Sequence, residues 1–297
     1  MRKGIILAGG SGTRLYPLTL SLSKQLLPVF DKPMIYYPLS TLMLAGITEI
    51  LIITTPKDRI QFERLLGQGE QWGITIKYAE QVVPAGIAQA YLIAESFLDG
   101  AASVLILGDN IFFGHGLPEA LQRATESKVS TIFGYHIADP RSYGVLSFDK
   151  YGNVFALEEK PEKPKSNYAV TGLYFLDNSA PERAKSLVPS RRGELEITDL
   201  LTKFINDGLL RHEILGRGYT WLDTGTHASL SDAGNFVRTV SERQGLQVGS
   251  PDEIAYRLGL ISSEILKNNG MKLGKSGYGQ YLSELAEKEY AKISTEK

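Results

Sequence analysis

The chain contains no cysteine at all. That removes disulfides, thiolate zinc sites and cysteine nucleophiles together, and it fits a reducing compartment. Nor is one sign of charge in excess: Lys+Arg number 32 against Asp+Glu at 33, a formal net charge of -1. A protein that grips nucleic acid ordinarily carries a basic surplus, so any anionic ligand here must meet a local cluster of cations. Long hydrophobic runs are missing too, with no stretch near the ~18 apolar residues of a membrane helix. The opening MRKGIILAGGSG starts basic, but its apolar stretch is shorter than a signal-peptide core. These absences predict a cytoplasmic protein with neither a membrane nor a nucleic acid as partner.

What is present is ordinary globular material: 297 residues, 43% hydrophobic and 22% charged, enough for one large α/β domain or about two smaller ones. Short β-branched runs alternate with helix-spaced segments through the first half. Gly4–Ala8, Glu49–Thr54, Ile74–Tyr78 and Ser103–Leu107 read as buried strands, with Met34–Ala45, Asp58–Leu66 and Ile87–Phe97 as the helices between them. The pattern predicts an α/β fold with a doubly wound, mixed and mostly parallel sheet. The middle third is richer in strands (Ser130–His136, Val145–Phe148, Asn153–Leu157 and Tyr168–Leu176). A helix over Glu196–Asn206 and a strand over Arg211–Leu215 follow, and after Thr226 the pattern is helical to the end. There Tyr278, Tyr281, Leu282, Leu285 and Glu289 recur at helical intervals, a mainly apolar stripe that packs either on its own chain or on another subunit.

In doubly wound sheets ligands bind beyond the carboxyl ends of the strands. The first strand runs into Leu7-Ala8-Gly9-Gly10-Ser11-Gly12-Thr13-Arg14-Leu15, where glycines let backbone amides approach phosphate oxygens. The dinucleotide fingerprint fails, because Leu15 stands where its third glycine belongs, and no Walker A run occurs. Such a turn also serves structure alone. Arg14 and Lys24, close by, supply the cations a polyphosphate needs. Asp109 ends the strand Val104–Leu107 after one glycine, and Asp223 sits in a similar setting in YTWLDTGT. Two carboxylates plus substrate phosphates suit Mg²⁺, provided the fold joins them; a lone Asp after a strand is otherwise an N-cap. The run Glu158–Pro164 reads by composition as a solvated charged loop, and the four histidines show no ligand spacing.

Taken together, LAGGSGTRLYPLT, SKQLLP, YPLSTLMLAGI, VLILGDN, EEKPEKP, VTGLYFLD and YTWLDTGT resemble the sugar-1-phosphate nucleotidylyltransferases and, within them, the glucose-1-phosphate thymidylyltransferases. The resemblance runs along almost the whole chain. It implies a catalytic domain over residues 1–240, with nucleotide-binding (about 1–130) and sugar-binding (about 131–225) parts. Residues 241–297 would form a helical region for assembly and regulation. By the same resemblance Leu7, Gly9, Gly10, Gly12, Thr13, Gln25, Gln81, Gly86, Asp109 and Asn110 hold the nucleotide, and Arg14, Lys24 and Lys160 are catalytic. Tyr143, Gly144, Glu159, Lys160, Val170 and Trp221 line the sugar pocket, while Asp109 and Asp223 bind Mg²⁺. The implied reaction is attack of glucose 1-phosphate on dTTP, giving dTDP-glucose and pyrophosphate, the first step of dTDP-rhamnose synthesis. Also implied are a homotetramer and feedback by dTDP-rhamnose. The rival readings are a UTP-using enzyme and a nucleotide-sugar sensor without turnover; residues 250–297 lack the hexapeptide repeat found in many ADP-glucose and UDP-N-acetylglucosamine enzymes.

Overall fold

A computed structural model describes residues 2–295, with side chains described as far as Lys288. The first half holds β1 (Lys3–Ala8), the short hairpin β2 (Pro28–Val29) and β3 (Lys32–Pro33), α1 (Tyr36–Leu44), β4 (Glu49–Thr54), α2 (Arg59–Leu66), β5 (Thr75–Glu80) and α3 (Gln89–Leu98). Next come β6 (Ser103–Leu107), β7 (Asn110–Gly114), α4 (Leu117–Glu126), β8 (Ser130–His136), β9 (Gly144–Phe148), β10 (Val154–Glu159) and β11 (Tyr168–Leu176). The rest is α5 (Ala180–Lys185), α6 (Ile197–Asn206), β12 (Leu210–Leu215), β13 (Tyr219–Asp223), α7 (His227–Gln244), α8 (Pro251–Arg257), α9 (Ser263–Lys272) and α10 (Gly277–Thr295).

The central sheet runs β10-β9-β11-β6-β1-β4-β5, with β8 pairing β11 and β12. β4, β5, β6 and β1 are parallel neighbours, β12 is parallel to β8, and β10 and β11 run against the rest. The sheet is therefore mixed and mostly parallel, as the alternating sequence predicts. Its central strands are apolar on both faces because helices cover both. In β4, Ile50 and Ile52 belong to one core cluster with Leu39, Leu42 and Phe62, whereas Leu51 and Ile53 belong to another with Tyr91, Ala94 and Phe204. Period-two side-chain alternation assigns each residue to its face.

The chain reverses its winding at β1, which has β4 on one side and β6 on the other. That switch point opens a crevice at the strand ends, and both sequence signals leave the sheet there: the glycine loop after β1 and Gly108-Asp109 after β6. A third cluster, with Leu15, Leu27, Met34, Ile111 and Val237, underpins the crevice. Towards the end of the chain, Tyr278 and Leu282 are buried in the first cluster, with Tyr281 and Leu285 packed against it. The described part of the apolar stripe on α10 is thus covered by its own chain; the Glu289 side chain lies outside the described residues. No helix among the described residues is long and apolar enough to cross a membrane.

Candidate active site

The glycine loop is shaped by backbone geometry. Gly10 and Gly12 take φ of 94° and 60°, the left-handed region that favours glycine. Gly12 opens a single 3-10 turn, Thr13–Leu15, and its carbonyl accepts a 2.7 Å bond from Thr19 Oγ1. Gly9, Gly10, Gly12, Thr13, Arg14, Lys24, Gln25, Pro84, Asp109 and Glu194 line one cavity. Leu7 lies below it in β1, its carbonyl accepting the Gly108 amide at 2.9 Å. Gln25 is buried, held by Ser23 Oγ at 2.8 Å. Gln81 reaches the loop from β5: a Cβ on Gly9 would lie 2.3 Å from Gln81 Oε1. Gln81 Nε2 donates to Gln89 Oε1 at 2.7 Å. Gly86, at φ 100°, presses against the Leu195 backbone rather than into the cavity.

A second cavity adjoins the first, lined by Arg14, Asp109, Asn110, Tyr143, Gly144, Glu159, Lys160, Val170, Trp221 and Asp223. Ile87, Ser142, Gly172, Tyr174 and Thr198 also line it, and the sequence reading passed over them. Apart from Gly172, whose added Cβ would lie 2.5 Å from Asn110 Oδ1, they carry no local signal, being common residues gathered by the fold. Lys160 adopts φ 43°, an uncommon conformation for a residue with a Cβ, and places Nζ 3.5 Å from Glu159 Oε1. Burial raises the Glu159 carboxyl, with Lys160 opposing the shift. The run Glu158–Pro164 is therefore not uniformly solvated: Glu158 pairs with Lys165 outside, and Glu159 turns inward.

Asp109 does not cap a helix. The chain turns into β7, which pairs antiparallel with β13 in the register Asn110 opposite Asp223. This small ribbon brings the two carboxylates together, and Thr224 seals it by donating from N (3.3 Å) and Oγ1 (2.9 Å) to the Asp109 carbonyl. Lys24 Nζ bridges them, 2.5 Å from Asp109 Oδ2 and 4.0 Å from Asp223 Oδ1. Asp223 Oδ1 is buried without a hydrogen-bond partner. Burial, and then the Asp109 charge, push the Asp223 carboxyl up to about 6, against the pull of Lys24 and Arg14. Two crowded carboxylates, one with an orphaned oxygen, fit a hard divalent cation completed by ligand oxygens. No cluster of three or more His, Cys, Asp or Glu suited to a metal forms among the described residues. Beside them Asn110 joins the subsites. Its Nδ2 donates to Asp109 Oδ1 at 2.8 Å, while its Oδ1 accepts from Trp221 Nε1 at 2.6 Å and the Gly172 amide at 3.1 Å. Trp221 in turn packs against Tyr143, ring centroids 5.0 Å apart.

Residues 3–240 match the nucleotidyl transferase family. A Xanthomonas campestris relative named glucose-1-phosphate thymidylyltransferase is 59% identical over 288 residues, covering 97% of this chain and 98% of its own. One of the same name from Neisseria gonorrhoeae is 54% identical, covering 95% and 99%. Among solved structures, a Bacillus anthracis chain assigned as a glucose-1-phosphate thymidylyltransferase and crystallised with sucrose superposes with a TM-score of 0.74. It is 39% identical and covers 80% of this chain and 96% of that one. A phosphate-type glycine loop at the sheet's switch point, a match across most of the chain, and relatives more than half identical along nearly all of it lead to one assignment: the chain belongs to the nucleotidyl transferase family.

Proposed function

We propose that this protein transfers a thymidylyl group from dTTP to α-D-glucose 1-phosphate, releasing pyrophosphate, as the names of its relatives suggest. One observation carries the reading: Arg14 and Asp109 line both cavities. The glycine-loop cavity receives the triphosphate and the Trp221 cavity the sugar, so the reacting phosphorus lies at their shared wall.

There a phosphate oxygen of the sugar attacks the α-phosphorus in line, and the bond to pyrophosphate breaks. The nucleophile arrives as an anion, so no protein base or covalent intermediate is needed; alignment and charge neutralisation do the work. Arg14, Lys24 and the loop amides meet the triphosphate, Lys160 meets the sugar phosphate, and Glu159 faces the sugar hydroxyls. Gln25, Gln81 and Gly86 belong to the nucleoside side. Asp109 and Asp223 would hold Mg²⁺, which when bound neutralises charge developing on the phosphates.

We assign residues 1–240 to the catalytic domain and 241–297 to assembly and regulation, in a cytoplasmic homotetramer under dTDP-rhamnose feedback. A cavity lies where the two parts meet, lined by Leu44, Phe113 and Leu117 from the first and by Val248, Ile254 and Arg257 from the second. The deciding assay is pyrophosphate release with glucose 1-phosphate and Mg²⁺, comparing dTTP, UTP, ATP and GTP, with an EDTA control. Release favouring dTTP and abolished by EDTA is expected. Equal use of UTP would overturn the thymidylyl assignment, and silence from folded protein would overturn catalysis.

A further inference from the structure

The segment Ser190-Arg191-Arg192-Gly193-Glu194-Leu195 has no strand or helix pattern, and it runs into Glu196, the N-cap of α6 and a residue only 6% exposed. A buried carboxylate must be paired and hydrogen-bonded. Glu196 is: Ser190 Oγ donates to Oε1 at 2.6 Å, and Arg192 grips it with Nε on Oε1 at 3.1 Å and a terminal nitrogen on Oε2 at 2.8 Å. This two-point grip fixes the segment's path.

On one side the segment is stitched to the loop after β5. The Leu195 amide donates to the Ala85 carbonyl at 2.8 Å, and the Leu195 carbonyl accepts from the Ala88 amide at 3.1 Å. The contact is so close that a Cβ on Gly86 would stand 2.4 Å from the Leu195 oxygen. On the other side, Arg192 lies 3.7 Å from Glu159 Oε1, and Thr198 Oγ1 donates to Glu159 Oε2 at 3.3 Å. Glu194 faces the triphosphate cavity, and Ile197 and Thr198 face the sugar cavity. The strap and the first turn of α6, joined at Glu196, therefore wall both subsites.

Building on the proposed transferase reading, we infer that Glu196 is a positioning residue that holds this strap and so keeps the nucleotide and sugar subsites in register. Glu196→Gln keeps the shape but presents an amide N–H to the Arg192 guanidinium. The expected result is a paired rise in KM, roughly tenfold for the nucleoside triphosphate and for the sugar phosphate alike, about the loss of one charge-assisted hydrogen bond. The change in kcat should stay within about threefold, since the groups that stabilise the transition state are untouched. In parallel, amide hydrogen exchange at Ala88 and Leu195 should quicken roughly tenfold. A folded variant in which only one KM moves, or neither, overturns the inference, as does unchanged exchange at those amides. Should Glu196→Gln fail to fold, Ser190→Ala removes one contact from the same carboxylate outside both cavities. It must show the same paired rise, at about two- to threefold; unchanged KM values would be equally fatal. Wild-type protein without turnover would defeat the transferase reading alone, because the exchange measurement decides the strap without it.

Discussion

Replacing Asp223 with Asn should make the protein more stable and leave it catalytically silent. Burial and the neighbouring Asp109 push the Asp223 carboxyl from its ordinary 3.8 up to about 6. A carboxyl whose native pKa is raised binds more protons folded than unfolded, so stability falls as pH climbs from about 4 through 6 and levels off above. At ~1.36 kcal/mol per pH unit, the ionised group costs ~3 kcal/mol at pH 7.5, shrinking to ~1 kcal/mol at pH 4.5. Asn carries no charge and escapes that cost. With an unfolding entropy of ~2.1 cal/mol/K per residue, the gain corresponds to a Tm higher by ~5 °C at pH 7.5 and ~2 °C at pH 4.5. Thermal unfolding of both proteins across that range is the assay. Adding Mg²⁺ without substrate should raise the wild-type Tm, by relieving the same repulsion, and leave the Asn variant nearly unmoved. A variant less stable at pH 7.5, or one whose advantage does not shrink towards pH 4.5, would refute the reasoning.

Two further outcomes follow from the same geometry. Arg14→Ala should lose at least about a hundredfold in turnover, as removal of one preorganised charge-stabilising donor does, with an unchanged circular dichroism spectrum; near-normal turnover would remove Arg14 from the mechanism. Trp221→Phe deletes the 2.6 Å bond to Asn110 Oδ1 and leaves that buried acceptor with less. The expected loss is ~1–2 kcal/mol, about tenfold in kcat/KM for the sugar phosphate, and kinetics indistinguishable from wild type would show that Asn110 needs no second anchor.

The sheet was legible because its strands are short, β-branched and bounded by turns, so period and composition agree. Gly10, Gly12 and Arg14 were legible for a similar reason: the loop is local, and its chemistry follows from adjacent residues. The two carboxylates were named as a pair, but spacing could not show that they meet. Asp109 and Asp223 lie more than a hundred residues apart, and only the β7–β13 ribbon joins them. Neither Asn110–Gly114 nor Tyr219–Asp223 stood out as a strand, since each is short and follows directly on a turn. Lys160 illustrates a different gap. Its left-handed backbone is imposed by the surrounding fold, and nothing in the residue type announces it. The strap at 190–195 was invisible for the opposite reason. It looks like solvated charge until Glu196 is found buried, and burial is a tertiary fact.

The β7–β13 ribbon also sets a timetable. Domains fold as units, and Ala233 and Val237 of the cluster beneath the crevice follow β13 in the chain, so the glycine cradle is completed only after β13 has been made. Until Asp223 arrives, Asp109 is half of a clamp, and Lys24 has one carboxylate instead of two to balance. A nascent chain thus gains its phosphate cradle and its carboxylate pair together, late in synthesis.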